Sequence, residues 1–283
     1  MQRVVITAAL NGHSVHRGEC SAVPYTPAEI AAEAQRAAEA GATIIHLHAR
    51  EDGGAPCYRA ERYWEVVEAV RQRCDALVSV ATGAFGVSVD ERLSGVEARP
   101  DLATMPLGSM SYARYNPGQR CFDYDHVFAN PFSDMVTLVE RMRERGVQTI
   151  ASCYDLGQIA SVQPLKEMGV LTESTPFNFT LGITGGLPAH THNLARMVQA
   201  ATDTDIWCCT SLGENAWKIR AAALSLGGHL RVGFEDGLHL PNGDAADSNA
   251  DLVSAAVQLI HAVGLEVAST QDAKSIFLGA DSE

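Results

Sequence analysis

Lysine is nearly absent: Lys166, Lys218 and Lys274 are the whole complement. Positive chemistry must therefore come from arginine. At a formal net charge of −13 the chain lacks the basic surface that nucleic acid requires. That deficit does not exclude an anionic small ligand, which answers to local arginines rather than to global charge. No apolar run approaches the ~18 residues of a membrane span. The opening MQRVVITAALNG has a short apolar run and no cleavage-site pattern, so no signal peptide is read there and a cytoplasmic protein is expected. The seven cysteines form no CxxC and no evenly spaced framework, which leaves reduced, buried thiols as the expectation. No GxGxxG, GxxxxGK[ST] or GxSxG occurs, which removes the dinucleotide fingerprint, the P-loop and the nucleophile elbow.

What is present is an alternation. Eight short apolar or β-branched runs occur at 4–11, 43–50, 76–83, 102–109, 148–155, 177–184, 205–212 and 229–236. Helical windows separate most of them, at 26–41, 60–73, 133–145, 157–168, 191–202, 215–226 and 248–263. The first is the best punctuated: Thr26 as N-cap, Pro27 at the first helical position, Glu29 completing a capping box and Gly41 at the end. Ser133 is the expected cap of the third. The aromatic, turn-rich stretch 110–132 reads as a long ordered loop. Eight β/α units in 283 residues predict a single (β/α)8 TIM-barrel domain over 1–283, with a doubly wound open sheet as the alternative. In both, the site forms at the C-terminal ends of the strands.

Those ends are polar. His46 and His48 close the second run, two residues apart and so on one face of a strand. HxH at a barrel mouth, with a carboxylate and an open position, makes a catalytic zinc site. Hydrogen-bonded core histidines and an anion-binding imidazolium pair are the other readings. Glu235 and Asp236 end the eighth run, which a closed barrel places one strand away from the second. Alternation keeps both from being mid-strand ligands, so one can ligate while the other turns to the substrate as a base; an acidic, helix-capping turn is the bland reading. Arg231, four residues earlier, shares the face of Glu235 if the strand is regular. Ser14, Thr82, Gly83, Ser109 and Ser152, with Thr104, are the candidate substrate contacts at the other strand ends. His190 and His192 fall at a loop and helix start, Gly182, Gly185 and Gly186 weakly suggest an anion-cradling turn, Cys208–Cys209 reads as packing, and so does His261.

ITAALNG, TPAEIAAEA, AGATIIHLHARED, the Thr-Gly after the third run, FTLGITGG and GGHLRVGFED followed by SNADLV together resemble the β-keto acid cleavage enzyme family, from about residue 3 to 278. HLHxR and GGHxRxGxED in that order are specific as a pair. The resemblance implies a zinc-dependent TIM barrel, commonly a homotetramer, that exchanges acyl units between a β-keto acid and acetyl-CoA to give acetoacetate and a new CoA thioester. It implies that His46, His48 and Glu235 hold Zn2+, which polarises the keto oxygen. It implies that Asp236, oriented by Arg231, takes a C2 proton, and that Thr104 hydrogen-bonds the substrate. The chain departs from the best-known member of that family at Ala81 (a serine there), at Pro106 (commonly asparagine) and at Ser14 and Ser152, which match two glutamates that flank a substrate amino group. A neutral or anionic substrate tail is therefore expected, since an unpaired buried ammonium is costly; His13, His16 and Arg17 would suit an anionic one. A metal-dependent hydrolase on a barrel would need histidines at the fifth and sixth strands, where QTIASCYD and FNFTLGIT have none. A catalytically degenerate ligand-binding barrel is the remaining alternative.

Overall fold

A computed structural model describes residues 2–201 and 206–279; Thr202 and Asp205, at the ends of two expected elements, lie outside the described residues. The first run splits into β1 (Arg3–Val4) and β2 (Ile6–Ala9), followed by α1 (Pro27–Glu39), β3 (Ile44–Leu47), α2 (Ala60–Arg71) and β4 (Leu77–Ala81). Two short helices, α3 (Val89–Arg92) and α4 (Ser94–Glu97), lead to β5 (Leu102–Pro106), then β6 (Met110–Asn116) and β7 (Cys121–Phe128). The third quarter holds α5 (Phe132–Glu144), β8 (Gln148–Cys153), α6 (Leu156–Ala160), α7 (Val162–Glu167), β9 (Phe177–Leu181) and α8 (Thr191–Ala200). The last holds β10 (Trp207–Ser211), α9 (Ala216–Ser225), β11 (His229–Val232), α10 (Asn249–Ala262), β12 (Glu266–Val267) and α11 (Thr270–Leu278).

Eight parallel strands close a barrel in the order β10-β11-β2-β3-β4-β5-β8-β9, so the architecture is the barrel and not the open sheet. The strands are buried along nearly their whole length, as expected of a parallel sheet covered on both faces. α1 buries Ile30, Ala34 and Ala37, one stripe at helical spacing. Its capping box is formed as expected, while Ala40 takes the C-cap and Gly41 follows it at φ 120°.

Four expectations change. The 110–132 stretch is an antiparallel hairpin, β6 on β7, not a loop. Pro131, not Ser133, caps α5, because its extended backbone precedes Phe132 and Ser133 already lies in the first turn. The 157–168 window breaks into two helices at Ser161. Pro164, which has no N–H to give, is tolerated as the third residue of a new helix but not in the interior of a single longer one. Finally, Cys121 is exposed and Cys20 and Cys74 are half-buried, so burial holds only for Cys57, Cys153, Cys208 and Cys209. Burial pushes the Cys208 thiol up to about 12, which fits packing rather than attack.

The two ends of the barrel are unlike. At the N-terminal end, Val5, Ile44, Leu77, Leu102 and Ile150 pack with Ala273 and Phe277 of α11, a helix absent from the expected windows. Ser269 caps it, with Asp272 completing the box. His229, at the start of β11, packs beside Phe277, and its Nδ1 accepts a hydrogen bond from the Val5 N–H at 3.1 Å. Burial pushes its pKa from 6.5 down to about 4. Because the unfolded chain then binds the proton more readily, stability is full above pH 6.5 and is lost as pH falls toward 4. This single group contributes about 3 kcal/mol across that window. Denaturant unfolding between pH 4 and 7 should show the slope, and His229→Gln should lessen it by this share, the rest coming from His46 and His13, which burial also holds low; an unchanged slope in the variant would rule His229 out as a source.

Candidate active site

The other end of the barrel opens into a cavity of about 530 Å³. β3 delivers His46, and the residue just after its end, His48, to the cavity wall, both essentially buried. Asn11, at the end of β2, fixes the strand end: its side chain accepts from the His48 N–H and donates to the His48 carbonyl, each at 3.0 Å. His46 Nδ1 lies 3.0 Å from Ser79 Oγ, its register partner on β4. That bond holds the ring and leaves Nε2 facing the cavity.

β11 lies against β2, and β2 against β3. The chain leaves β11 at Val232, and Glu235 and Asp236 sit in the turn that follows, closed by the Asp236 N–H on the Gly233 carbonyl at 3.0 Å. Neither acid is mid-strand, as alternation required, and from the turn both carboxylates reach the cavity. Glu235 Oε2 lies 3.6 Å from His46 Nε2, and Oε1 lies 3.4 Å from His48 Nε2. Arg231 spans both acids, with Nε and Nη2 on Asp236 at 2.8 and 2.9 Å and Nη2 on Glu235 at 2.7 Å. Gly12, at φ 49°, passes so close that a Cβ there would collide with the Glu235 side chain. Only glycine lets the carboxylate stand where it does.

The electrostatics separate the two acids. Burial alone would raise Glu235, but Arg231, His48 and His46 outweigh it and hold that carboxyl well below its usual range. Asp236 goes the other way: burial, with help from Glu235, raises it despite Arg231. Burial and then Arg231 keep His46 low, hence neutral, which is the form that ligates a metal. Arg231 stays charged against burial because Asp236 and Glu235 face it.

His46, His48 and Glu235 are, among the described residues, the group of three able to grip one ion, with ligand atoms within 4.8 Å of one another. The fit is good. Ligand bonds of about 2.1 Å in a tetrahedron separate neighbouring ligand atoms by about 3.4 Å, close to the 3.6 and 3.4 Å between Glu235 and the two imidazoles. His48 Nε2 and Glu235 Oε2 are buried with no hydrogen-bond partner among the described residues, a costly state for polar atoms that an ion would relieve.

Ser14, Gly83, Thr104 and Ser152 also line the cavity, as do Ala81 and Pro106. Thr82 and Ser109 do not. The Thr82 hydroxyl donates to the Thr104 carbonyl at 2.8 Å, and the exposed Ser109 accepts from the Asn130 N–H at 2.8 Å; both tie loops together. Arg50 is buried outside the cavity wall, its guanidinium over the Tyr25 ring at 4.8 Å. Gly185, at φ 106°, answers to close approach by the Ser111 carbonyl and not to an anion cradle. His190 caps α8 and stacks on His192, away from the metal group, and His261 is exposed rather than packed. Sequence reasoning missed Asn178, Thr180 and Thr210 on the cavity floor, where Asn178 Oδ1 accepts from Thr210 Oγ1 at 2.8 Å. It also missed Ser79 and the aromatic side chains of the hairpin. The alternating SYARY and FDYDH around NPGQ were the available signal for the latter.

The profile of the beta-keto acid cleavage enzyme family matches residues 3–278. The chain belongs to that family. A β-keto acid cleavage enzyme of Fusobacterium nucleatum, named 3-keto-5-aminohexanoate cleavage enzyme, is 34% identical over 98% of each chain. The 3-oxoadipate:acetyl-CoA acetyltransferase of Cupriavidus necator is 28% identical over 97% of this chain and 94% of that one. Among solved structures, ObcA without ligand superposes with a TM-score of 0.70 at 17% identity, covering 90% of this chain and 65% of that one, a likeness of fold. In this member of the family no described helix is long and apolar enough to cross a membrane.

Proposed function

We propose that this enzyme condenses a β-keto acid with acetyl-CoA and cleaves the product into acetoacetate and a new acyl-CoA. The observation that carries the reading is one constellation. Two buried imidazoles, His46 and His48, and the half-buried Glu235 stand beside a second carboxylate, Asp236, whose pKa is pushed the opposite way from that of Glu235 and which Arg231 holds in a bidentate grip. Two acids with opposed environments are the mark of divided roles.

His46, His48 and Glu235 would hold a divalent cation, zinc by ligand type, supplying Lewis-acid polarisation of a keto oxygen when bound. Asp236 would remove a proton from C2, between the keto and carboxylate groups. Arg231 fixes the direction of that carboxylate and, paired with both acids, keeps the second charge tolerable. Thr104, Ser14, Gly83 and Ser152 would orient the acid from the cavity wall. The C2 carbanion attacks the thioester carbonyl and displaces CoA thiolate. For atoms to balance, that thiolate must then add at the original C3 carbonyl, and the C2–C3 bond breaks. The C2 carbanion so released takes back the proton held by Asp236 and leaves, with the acetyl group, as acetoacetate, and the remainder of the acid leaves on CoA. Assembly as a homotetramer belongs to the same reading.

The test is acetoacetate release from a panel of β-keto acids by metal-replete enzyme. Release should require acetyl-CoA, stop on chelation and return with Zn2+. Release of free acid without acetyl-CoA would instead mark a hydrolase, and no turnover of any β-keto acid a binding barrel.

A further inference from the structure

The cavity has two unlike halves. On one, from the ends of β11, β2 and β3, stand Arg231, Glu235, Asp236, His13, His46 and His48. The other, from the loops after β4, β5 and β8, is aromatic: Phe85, Tyr112, Tyr124, Phe128 and Tyr154. Ring centroids lie 4.9 Å apart for Phe85–Tyr112, 5.1 Å for Phe85–Phe128, 6.3 Å for Tyr112–Tyr124 and 6.0 Å for Phe128–Tyr154. These are packing distances, so the rings form one continuous wall.

Three of the five rings sit on the β6–β7 hairpin, which is strapped over the mouth. The Ala113 N–H donates to the Thr184 carbonyl at 3.2 Å, and Arg114 reaches Glu19 in the loop after β2 at 3.1 Å. Arg114 also lies 3.5 Å from Asp123. Arg114, the cation that the hairpin brings to the cavity lining, is therefore matched by carboxylates, and Glu19, also in the lining, by that cation. Arg17 and His16, the other sources of positive charge near the first strand end, do not line the cavity; Arg17 pairs with Glu29 at 2.7 Å. The hairpin's histidine, His126, packs on Phe85 at 5.2 Å and on Tyr124 at 5.7 Å and does not line the cavity, so the charges that the hairpin side gives the cavity are the matched Arg114 and Glu19. Burying an ionised group against the wall would go uncompensated. The rings contact one another instead of standing opposed across a gap, which is not the geometry of a cage that surrounds a quaternary ammonium.

We propose that Phe85 and the β6–β7 hairpin form the tail pocket of the substrate and select β-keto acids with an uncharged, apolar tail of branched-alkyl or aryl size. The inference rests on the proposed function, which places the keto and carboxylate groups on the charged half. It narrows the expected tail from neutral or anionic to neutral. It also separates this chain from relatives whose names carry an amino-tailed acid and a diacid.

The test compares β-keto acids ending in isopropyl, phenyl, ammonium, trimethylammonium and carboxylate. kcat/KM is measured with acetyl-CoA, and direct binding to the Zn2+-loaded enzyme by calorimetry without it. The apolar tails should lead every charged tail by about tenfold or more in both measurements. Phe85→Ala, and independently Tyr112→Ala, should erase most of that lead by lowering both affinity and kcat/KM for the apolar tails. Preference for any charged tail, or a lead that survives both variants, overturns the assignment. Selective binding without turnover would support the wall and contradict the proposed reaction, whereas turnover without selectivity would do the reverse.

Discussion

Asp236→Asn lowers kcat by about a thousandfold with KM changed little, the range expected for removal of a general base. The variant keeps the fold because an amide is nearly isosteric with the carboxylate and still accepts one hydrogen bond from Arg231. Arg231 also retains Glu235 at 2.7 Å, so no bare cation is left in the interior. Metal content should be unchanged, since Asp236 is not one of the three clustered ligands. Steady-state kinetics with metal analysis separates the possibilities. A loss of less than tenfold would show that another group takes the proton. A loss in parallel with the metal would show that Asp236 is a ligand and not a base.

His46→Ala removes one of the two imidazoles, and the bound ion should fall from roughly one per chain to a small fraction, with acetoacetate release lost in proportion. Added Zn2+ should not restore full activity. Ser79→Ala is the graded companion. It keeps the ligand but frees the Nδ1 side of its ring, and a lost orienting partner of this kind weakens metal affinity by about 10- to 100-fold. Elemental analysis and a zinc titration of both variants check the pair. If His46→Ala keeps both ion and activity, the two imidazoles are structural and the metal reading falls.

The order and type of most elements were legible because each signal was local. Thr26, Pro27 and Glu29 announce α1, and the capping box is present in the structure. The apolar runs announce the strands, and their polar ends bring Ser14, His46, His48, Thr104, Ser152, Arg231, Glu235 and Asp236 to one cavity. What escaped depended on tertiary partners. The hairpin alternates, but its residues are mostly polar, aromatic and exposed, so it lacks the apolar face that marks a strand, and it is held by contacts to residues as distant as Glu19 and Thr184. α11 is short, and its apolar Phe277 acquires meaning only against the strand starts it covers. Glu235 and Asp236 were legible as a pair at a strand end, but the turn after Val232 that brings both inward was not. Thr82 and Ser109 were chosen for hydroxyls at strand ends, and the backbone claims both.

The central claim, that acetyl transfer and cleavage are one reaction at this cavity, is tested most directly by tracing the acetyl carbons. With both acetyl carbons of acetyl-CoA labelled with ¹³C, mass spectrometry should find the label in the keto and methyl carbons of acetoacetate and none in the new thioester. The two products should form in equal amounts, and neither should form without acetyl-CoA. Label in the new thioester, or cleavage of the acid with acetyl-CoA left intact, would contradict the account.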